Sequence, residues 1–313
     1  MLCMVLYHSF NYFHHDLQIL KYLHFLPSSF IFITGFLITN VYLARYDIAD
    51  SRMHRRLFVR GVKLMAIFIG LNLVVHALFS INYNQRQLGL DFFFDHLDSI
   101  FLTGEERAAV FEVLLPISYL LLLSAALLKG CRIHRYFLQA VSGGTIVLCL
   151  ILAYQGLLVF NLDLLSMGLF GMVIGFIPLR RIEGVAVHLA PILIANLAYL
   201  VVITYWYPIY ALNIVGVCLT LLLFYAVGVK AGERGVVPVQ IILLGKYSLL
   251  AYIVQIALLQ ALVRGLRRLD LPTDRLLIAL IATTVLTWLV VQAVDRLRRK
   301  SVTFNRAYQA VFA

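Results

Sequence analysis

Phe30-Ile31-Phe32-Ile33-Thr34-Gly35-Phe36-Leu37-Ile38 lies inside a stretch, residues 22–44, that contains no Lys, Arg, Asp or Glu. A helix of that length reaches across about 30 Å of hydrocarbon, and its lack of charge lets it stay there. Immediately after it come Arg45, Arg52, Arg55, Arg56, Arg60 and Lys63. An apolar stretch closed by a basic cluster reads as a membrane span whose following loop is cytoplasmic.

The rest of the chain repeats this pattern. Of 313 residues, 62% are hydrophobic and 13% charged, against about a quarter charged in soluble domains, so the sequence belongs to the helical membrane class. Short alternating strands, the mark of a membrane barrel, are absent from the sequence pattern. The expected fold is all-α: a polytopic bundle of about ten transmembrane helices in one domain covering residues 1–313. Its spans are 1–13, 22–44, 61–81, 109–128, 138–160, 162–179, 185–206, 209–229, 240–263 and 276–294.

Charge then orients the bundle. Besides the cluster after the second span, Lys129, Arg132 and Arg135 follow the fourth, Arg180 and Arg181 the sixth, and Lys230 and Arg234 the eighth. Arg296, Arg298, Arg299, Lys300 and Arg306 follow the tenth. All five clusters fall on one side, which is the cytoplasmic side. The longest opposite loop, about 82–108, holds Asp91, Asp95, Asp98, Glu105 and Glu106 beside Phe92-Phe93-Phe94 and His96. Arg264, Arg267, Arg268 and Arg275 disagree, marking a basic outer site or a miscounted span. The net charge of +11 is thus accounted for by orientation, and no basic-aromatic module for nucleic acid is present.

The first span is short: 13 residues make a helix of about 20 Å, which does not cross a bilayer alone. It reads as a half-span or as the remainder of a longer one, and no basic leader precedes it. Cys3, Cys131, Cys149 and Cys218 are scattered, three within spans and Cys131 in a cytoplasmic loop, with neither metal nor disulfide spacing. A metal site at His14, His15 and Asp16 is disfavoured because adjacent residues on one turn seldom converge. No phosphate loop, zinc-binding helix or nucleophile elbow is found.

Polar side chains inside the spans carry the chemistry. His8, His76, Glu112, Asp163, His188, Asn72, Asn196, Gln255 and Gln260 each need a partner or a wet cavity. Among them His8, in the first span, is the candidate catalytic residue, because neutral imidazole can act as a general base or as a transient acyl carrier. Asp16 and Glu112 are candidates to orient its ring, although Glu112 also suits the role of a solvated acid at a helix start.

The order of Tyr7-His8-Ser9, then Thr34-Gly35 in an aromatic-rich span, then Arg55, Arg56 and Arg60, resembles the opening of the membrane acyltransferase superfamily. That group includes the family-3 acyltransferases of polysaccharide O-acylation, glucan-modifying proteins and heparan-alpha-glucosaminide N-acetyltransferase-like proteins. Leu244-Gly245-Lys246-Tyr247-Ser248-Leu249 is similar to a late landmark of the same group. This chain has Thr34 where the family usually has serine, and Gln255 where many relatives show histidine. The family's arginine, about three turns before the histidine, would fall ahead of Met1.

The resemblance implies transfer of an acyl group, acetyl above all, from cytoplasmic acyl-CoA to a carbohydrate or glycan acceptor at or beyond the membrane. It implies His8 as base or acyl carrier, Arg55, Arg56 and Arg60 as contacts for coenzyme A phosphates, and Thr34, Gly35 and Ser248 as structural residues near the site. It implies acyl-CoA as cosubstrate with no tightly bound cofactor and no metal, membrane lipids as surroundings, and the cytoplasmic membrane of a bacterium as location. From the residues alone other roles stay open. The arginines can serve orientation only, the mid-span glycine close helix packing, and Phe92, Phe93 and Phe94 either sugar stacking or interfacial anchoring. The competing function is a secondary transporter or flippase, for which no internal repeat is evident; a third is a non-catalytic scaffold.

Overall fold

The computed structural model describes residues 2–13, 17–48, 50–78, 81–83, 86–88, 90–104, 109–157, 159–206, 210–236, 238–268 and 275–312. In chain order the elements are α1 (Leu2–Phe13), α2 (Leu17–Leu23), α3 (Phe25–Leu37), a π-helical turn (Ile38–Tyr42), α4 (Leu43–Arg45) and α5 (Ser51–Leu78). A hairpin of β1 (Ile81–Tyr83) and β2 (Arg86–Leu88) leads to α6 (Leu90–Asp95) and a second π-helical turn (Ser99–Thr103). There follow α7 (Leu114–Ile133), α8 (Phe137–Tyr154), α9 (Phe160–Ile174), α10 (Leu179–Ala186), α11 (Leu189–Tyr205) and α12 (Tyr210–Glu233). The chain closes with α13 (Val239–Lys246), α14 (Ser248–Arg268), α15 (Arg275–Lys300) and α16 (Val302–Phe312).

Seven helical stretches among the described residues are long and apolar enough to cross a membrane, so the protein is a multi-pass helical membrane protein. An eighth is available if α9 and α10, bent by 97° at a short break, count as one span. Side chains on the outside agree: Val147, Leu148, Ile151, Ile194, Leu197, Val201, Ile281 and Val285 are all exposed, as lipid-facing positions are.

One boundary departs from the expectation. The basic cluster does not form a loop; helix α5 begins at Ser51, so Arg52, Arg55, Arg56, Arg60 and Lys63 ride on its first turns. The physical reason is a cap. Asp50 accepts a bond from the amide of Arg52 at 2.8 Å, satisfying an orphan donor at the helix start. Arg and Lys are good helix formers, so nothing in the cluster itself stops the helix. For the same reason Cys131, expected in a loop, lies within α7, whose helix runs on to Ile133.

The chain divides into two compact units. The first comprises Met1–Leu26, Val187–Tyr207 and Leu222–Ala313; the second comprises Pro27–Ala186 and Pro208–Leu221.

The second unit is organised by glycine. A Cβ on Gly35 of α3 would stand 1.9 Å from the carbonyl oxygen of Gly168, and one on Gly171 would stand 2.2 Å from that of Phe32. The backbones of α3 and α9 therefore touch, which only residues without side chains permit. Polar atoms seal the seam: Thr39 Oγ1 donates to the Met172 carbonyl at 2.7 Å, and Asn40 Nδ2 to the Gly175 and Ile177 carbonyls at 3.1 and 3.2 Å. Met172 lies in the last turn of α9, Gly175 is its C-cap and Ile177 lies in the break that follows, so the π-helical turn of residues 38–42 caps the end of its neighbour. On the loop side, Asn72 both donates to the Val110 carbonyl and accepts from its amide, and Asn161 donates to the Ile100 carbonyl.

The first unit is built on α1, α14 and α15, which pack against one another. Near one end Leu259 and Ala279 meet Tyr12, Phe13 and Leu262. Near the other, Leu244, Tyr247, Ala251 and Val291 form a second apolar group. Beyond it Asp295 accepts from the Tyr247 hydroxyl at 2.7 Å and pairs with Arg299 at 2.8 Å. Arg298 stacks over Tyr308 and donates to Asn305, fastening α16 to the end of α15. The Ser301 hydroxyl accepts from the Phe304 amide and caps α16.

Candidate functional site

Helical spacing shows what lies between the two apolar groups of the first unit. On α14, Gln255 sits four residues from Leu259 and four from Ala251; on α15, Thr283 and Thr287 fill the same row between Ala279 and Val291. On α1, His8 and Ser9 stand one turn before Tyr12 and Phe13. Side chains four apart share a helix face, so His8, Ser9, Gln255, Thr283 and Thr287 occupy one layer. Two contacts fix the register of α1 on α14: Gln260 Nε2 donates to the Tyr12 hydroxyl at 2.7 Å, and the His8 and Tyr252 rings lie 6.0 Å apart.

The layer is polar and unsatisfied. His8 Nε2, Ser9 Oγ, both amide atoms of Gln255, Thr283 Oγ1, Thr287 Oγ1 and Trp288 Nε1 are buried without a hydrogen-bond partner among the described residues. Ser9, Gln255 and Thr283 expose none of their surface, and Thr287 exposes 3%. Leaving such an atom unpaired costs about 1–3 kcal/mol, and the helices offer no alternative within hydrocarbon. Natural folds concentrate such costs at working sites. Chemically, the layer offers one imidazole nitrogen, three hydroxyls, an amide and an indole N–H, all neutral when the imidazole is unprotonated.

The other expected residues fall as follows. Ser248 opens α14 and is half-buried, two turns before Gln255 on that helix. The residues beside it have structural partners: Lys246 and Tyr247 both bond Asp295. Thr34 Oγ1 donates to the Phe30 carbonyl one turn back at 2.9 Å, and Gly35 is the contact point with α9. Both belong to the second unit, as do the arginines. Arg55, Arg56 and Arg60 are exposed on α5. Arg56 donates to the Tyr46 hydroxyl and Arg60 to that of Tyr42, and each guanidinium also lies over its tyrosine ring, at 5.2 and 5.7 Å. A guanidinium stacked on a ring retains N–H groups for a phosphate while its direction is held.

Several sequence expectations are corrected. His188 is exposed at the start of α11, where it is the residue before the first helical turn, and it does not enter the interior. Phe93 is buried against the His76 ring, 5.3 Å away, so its face is taken and not offered to a sugar; Phe94 is exposed. Glu112 lies in the turn ahead of α7, in the second unit, which is the place of a helix-start acid. His14, His15 and Asp16 lie outside the described residues, as do the side chains of Phe92, Arg267 and Arg268 and residues Glu105 and Glu106. No group of three or more metal-ligating side chains is found among the described residues.

Ser9, Thr283, Thr287 and Trp288 were not singled out in the sequence. A signal was present: Thr283 and Thr287, one turn apart, share one face of a largely apolar stretch, while Thr284 bonds back to the Leu280 carbonyl. What sequence lacks is the information that Gln255 shares their layer.

Comparison with family models, with curated proteins and with solved structures finds no match.

Proposed function

We propose that the protein is an integral membrane acyltransferase that moves an acyl group, acetyl in the first instance, from acyl-CoA to a hydroxyl of a carbohydrate or glycan, with His8 as base or acyl carrier. The observation that carries this reading is His8 Nε2: a buried imidazole nitrogen with no partner among the described residues, set among neutral hydrogen-bonding groups. With the proton on Nδ1, Nε2 presents a lone pair. As base it takes the proton of the acceptor hydroxyl while the oxygen attacks the thioester; the C–S bond breaks, the C–O bond forms, and coenzyme A leaves as the thiol once it receives that proton. As carrier Nε2 itself attacks the thioester carbonyl, the C–S bond breaks and coenzyme A leaves as thiolate; the acceptor oxygen then attacks the acyl-imidazole, its C–N bond breaks to restore the imidazole, and the acceptor's proton ends on the coenzyme A thiol.

In this reading the basic face of α5 is cytoplasmic and Arg55, Arg56 and Arg60 receive the coenzyme A phosphates, which the tyrosine-held guanidiniums of Arg56 and Arg60 suit. A bundle of about ten spans would need the bent pair, α11 and the short α1 in addition to the seven long helical stretches. The membrane is the cytoplasmic membrane of a bacterium. A transporter is the second reading, and the 97° break between α9 and α10 favours it, since interrupted helices are common in transporters.

The deciding experiment compares parental protein with His8→Ala and His8→Gln for acetyl transfer from acetyl-CoA to a glycan acceptor, with coenzyme A release measured in parallel. Both variants should lose about a hundredfold or more, because glutamine keeps hydrogen bonding but not basicity. Parental rates in both variants, or solute uptake without coenzyme A release, would remove the acyltransferase reading.

A further inference from the structure

We infer that the layer between α1, α14 and α15 is a binding site for a neutral oxygen-bearing group, and that Gln255, Thr283 and Thr287 are the side chains that hold it. The inference rests on the acyltransferase reading for the identity of that group, which is then the carbonyl oxygen of the acyl thioester. Three observations lead to it. Gln255 has both amide atoms buried and unpartnered, and Thr283 and Thr287 each have an unpartnered hydroxyl one turn apart on the facing helix. These groups share the layer of His8 through the row spacing fixed by the Tyr12–Gln260 bond and the His8–Tyr252 contact. Finally, among the described residues no cation or carboxylate lies in these rows at the layer itself; Asp295, two turns beyond Thr287, is already occupied by Tyr247, Lys246 and Arg299.

Such chemistry selects its ligand. An amide N–H and two hydroxyls can donate to one oxygen, and they do so without the desolvation penalty that a buried charge brings. None of the five side chains carries a charge while His8 is unprotonated, so the layer itself supplies no counter-ion to a charged group; the nearest cation on α14, Arg264, lies toward Tyr12, nine residues from Gln255. When a hydroxyl attacks the thioester, the carbonyl oxygen gains negative charge, and donors already aimed at it stabilise that charge more than the ground state. Gln255 therefore does what a histidine at that position could do only in one of its tautomers: it donates irrespective of pH. The unpaired atoms destabilise the fold and are explained by what they hold during the reaction.

The test has two arms that do not both depend on acyl transfer. In a background with Cys3, Cys131, Cys149 and Cys218 replaced by serine, Thr287→Cys is treated with methyl methanethiosulfonate, a small neutral reagent, and modification is followed by mass spectrometry. Labelling is expected, because the site must be reachable. Acetyl-CoA should slow it severalfold while coenzyme A without an acyl group should not; slowing by a neutral glucan oligosaccharide instead would assign the layer to the acceptor hydroxyl. In the second arm the otherwise parental double variant Gln255→Leu, Thr287→Val should melt about 2 °C or more above the parent in detergent, because shape-matched apolar side chains remove unpaired atoms, and should transfer acetyl groups at least about tenfold more slowly. An inert cysteine at 287, a lowered melting temperature, or an active parent whose labelling neither ligand slows overturns the inference. A parent without any acetyl transfer overturns the acyltransferase reading, and the site then stands or falls on labelling and melting temperature alone.

Discussion

The seam between α3 and α9 and the layer between α1, α14 and α15 are both interior helix contacts, and they treat polar atoms in opposite ways. In the first, Thr39 and Asn40 place their donors on carbonyls at and just beyond the end of α9, and glycine brings backbone onto backbone. In the second, His8, Ser9, Gln255, Thr283 and Thr287 each leave at least one buried polar atom without a partner among the described residues. Elsewhere in the second unit the contrast holds among the described residues: His54 and Asn213 each have one buried atom without a partner, but both bond through the other atom. Within a bilayer, where water does not compensate an unpaired group, the first pattern is what packing for stability produces. The second is the pattern that the proposed binding site requires.

The largest effect that would break this comparison is steric. Gly35→Ala should destabilise the protein by about 3 kcal/mol, the upper end for forcing a methyl into a packed contact, since the added Cβ would stand 1.9 Å from the Gly168 oxygen. Gly143→Ala on α8, with nothing within 4 Å, should instead be neutral or gain about 0.5–1 kcal/mol. Denaturant or thermal unfolding in detergent measures both, and equal outcomes would mean that the glycine seam is not a packing device.

The next effect tests the polar atoms directly. Thr39→Val removes the bond to Met172 and should cost about 1–2 kcal/mol. Thr283→Val removes no bond and should be neutral or stabilising, with acyl transfer reduced. The same substitution with opposite sign in two places is the sharpest form of the contrast; two losses of equal size would erase it.

The smallest effect concerns the proposed coenzyme A contacts of the second unit. Arg56→Ala and Arg60→Ala should raise the apparent KM for acetyl-CoA severalfold and change kcat less, as expected for contacts that serve binding more than chemistry. Tyr46→Phe should have a weaker effect in the same direction, because it frees Arg56 from its hydroxyl contact but keeps the ring beneath it. Unchanged KM in all three would leave the arginines as orientation signals alone.

Much of the architecture was legible because each span carries its own evidence. Hydrophobicity, length and the basic clusters are local quantities, and a helix in hydrocarbon satisfies its backbone within itself. His8 and Gln255 were legible as polar residues in apolar surroundings. The start of α5 was not, because the Asp50 cap is a matter of geometry that charge counting overrides. Nor was the fate of Phe93 or His188, since burial of one aromatic or exposure of one histidine depends on what is packed against it.

By itself, then, the sequence determined the membrane class and the helical content and marked His8 and Gln255 as polar residues in apolar surroundings, because transfer free energies into lipid are properties of each segment alone. Only the tertiary structure decided which of those residues are satisfied. Tyr12 and Gln260, 248 positions apart, bond each other; Thr39 finds the end of α9; Gln255 finds no partner among the described residues. Pairing of polar atoms across helices depends on register to within a fraction of a turn, and register is set by how whole faces interlock.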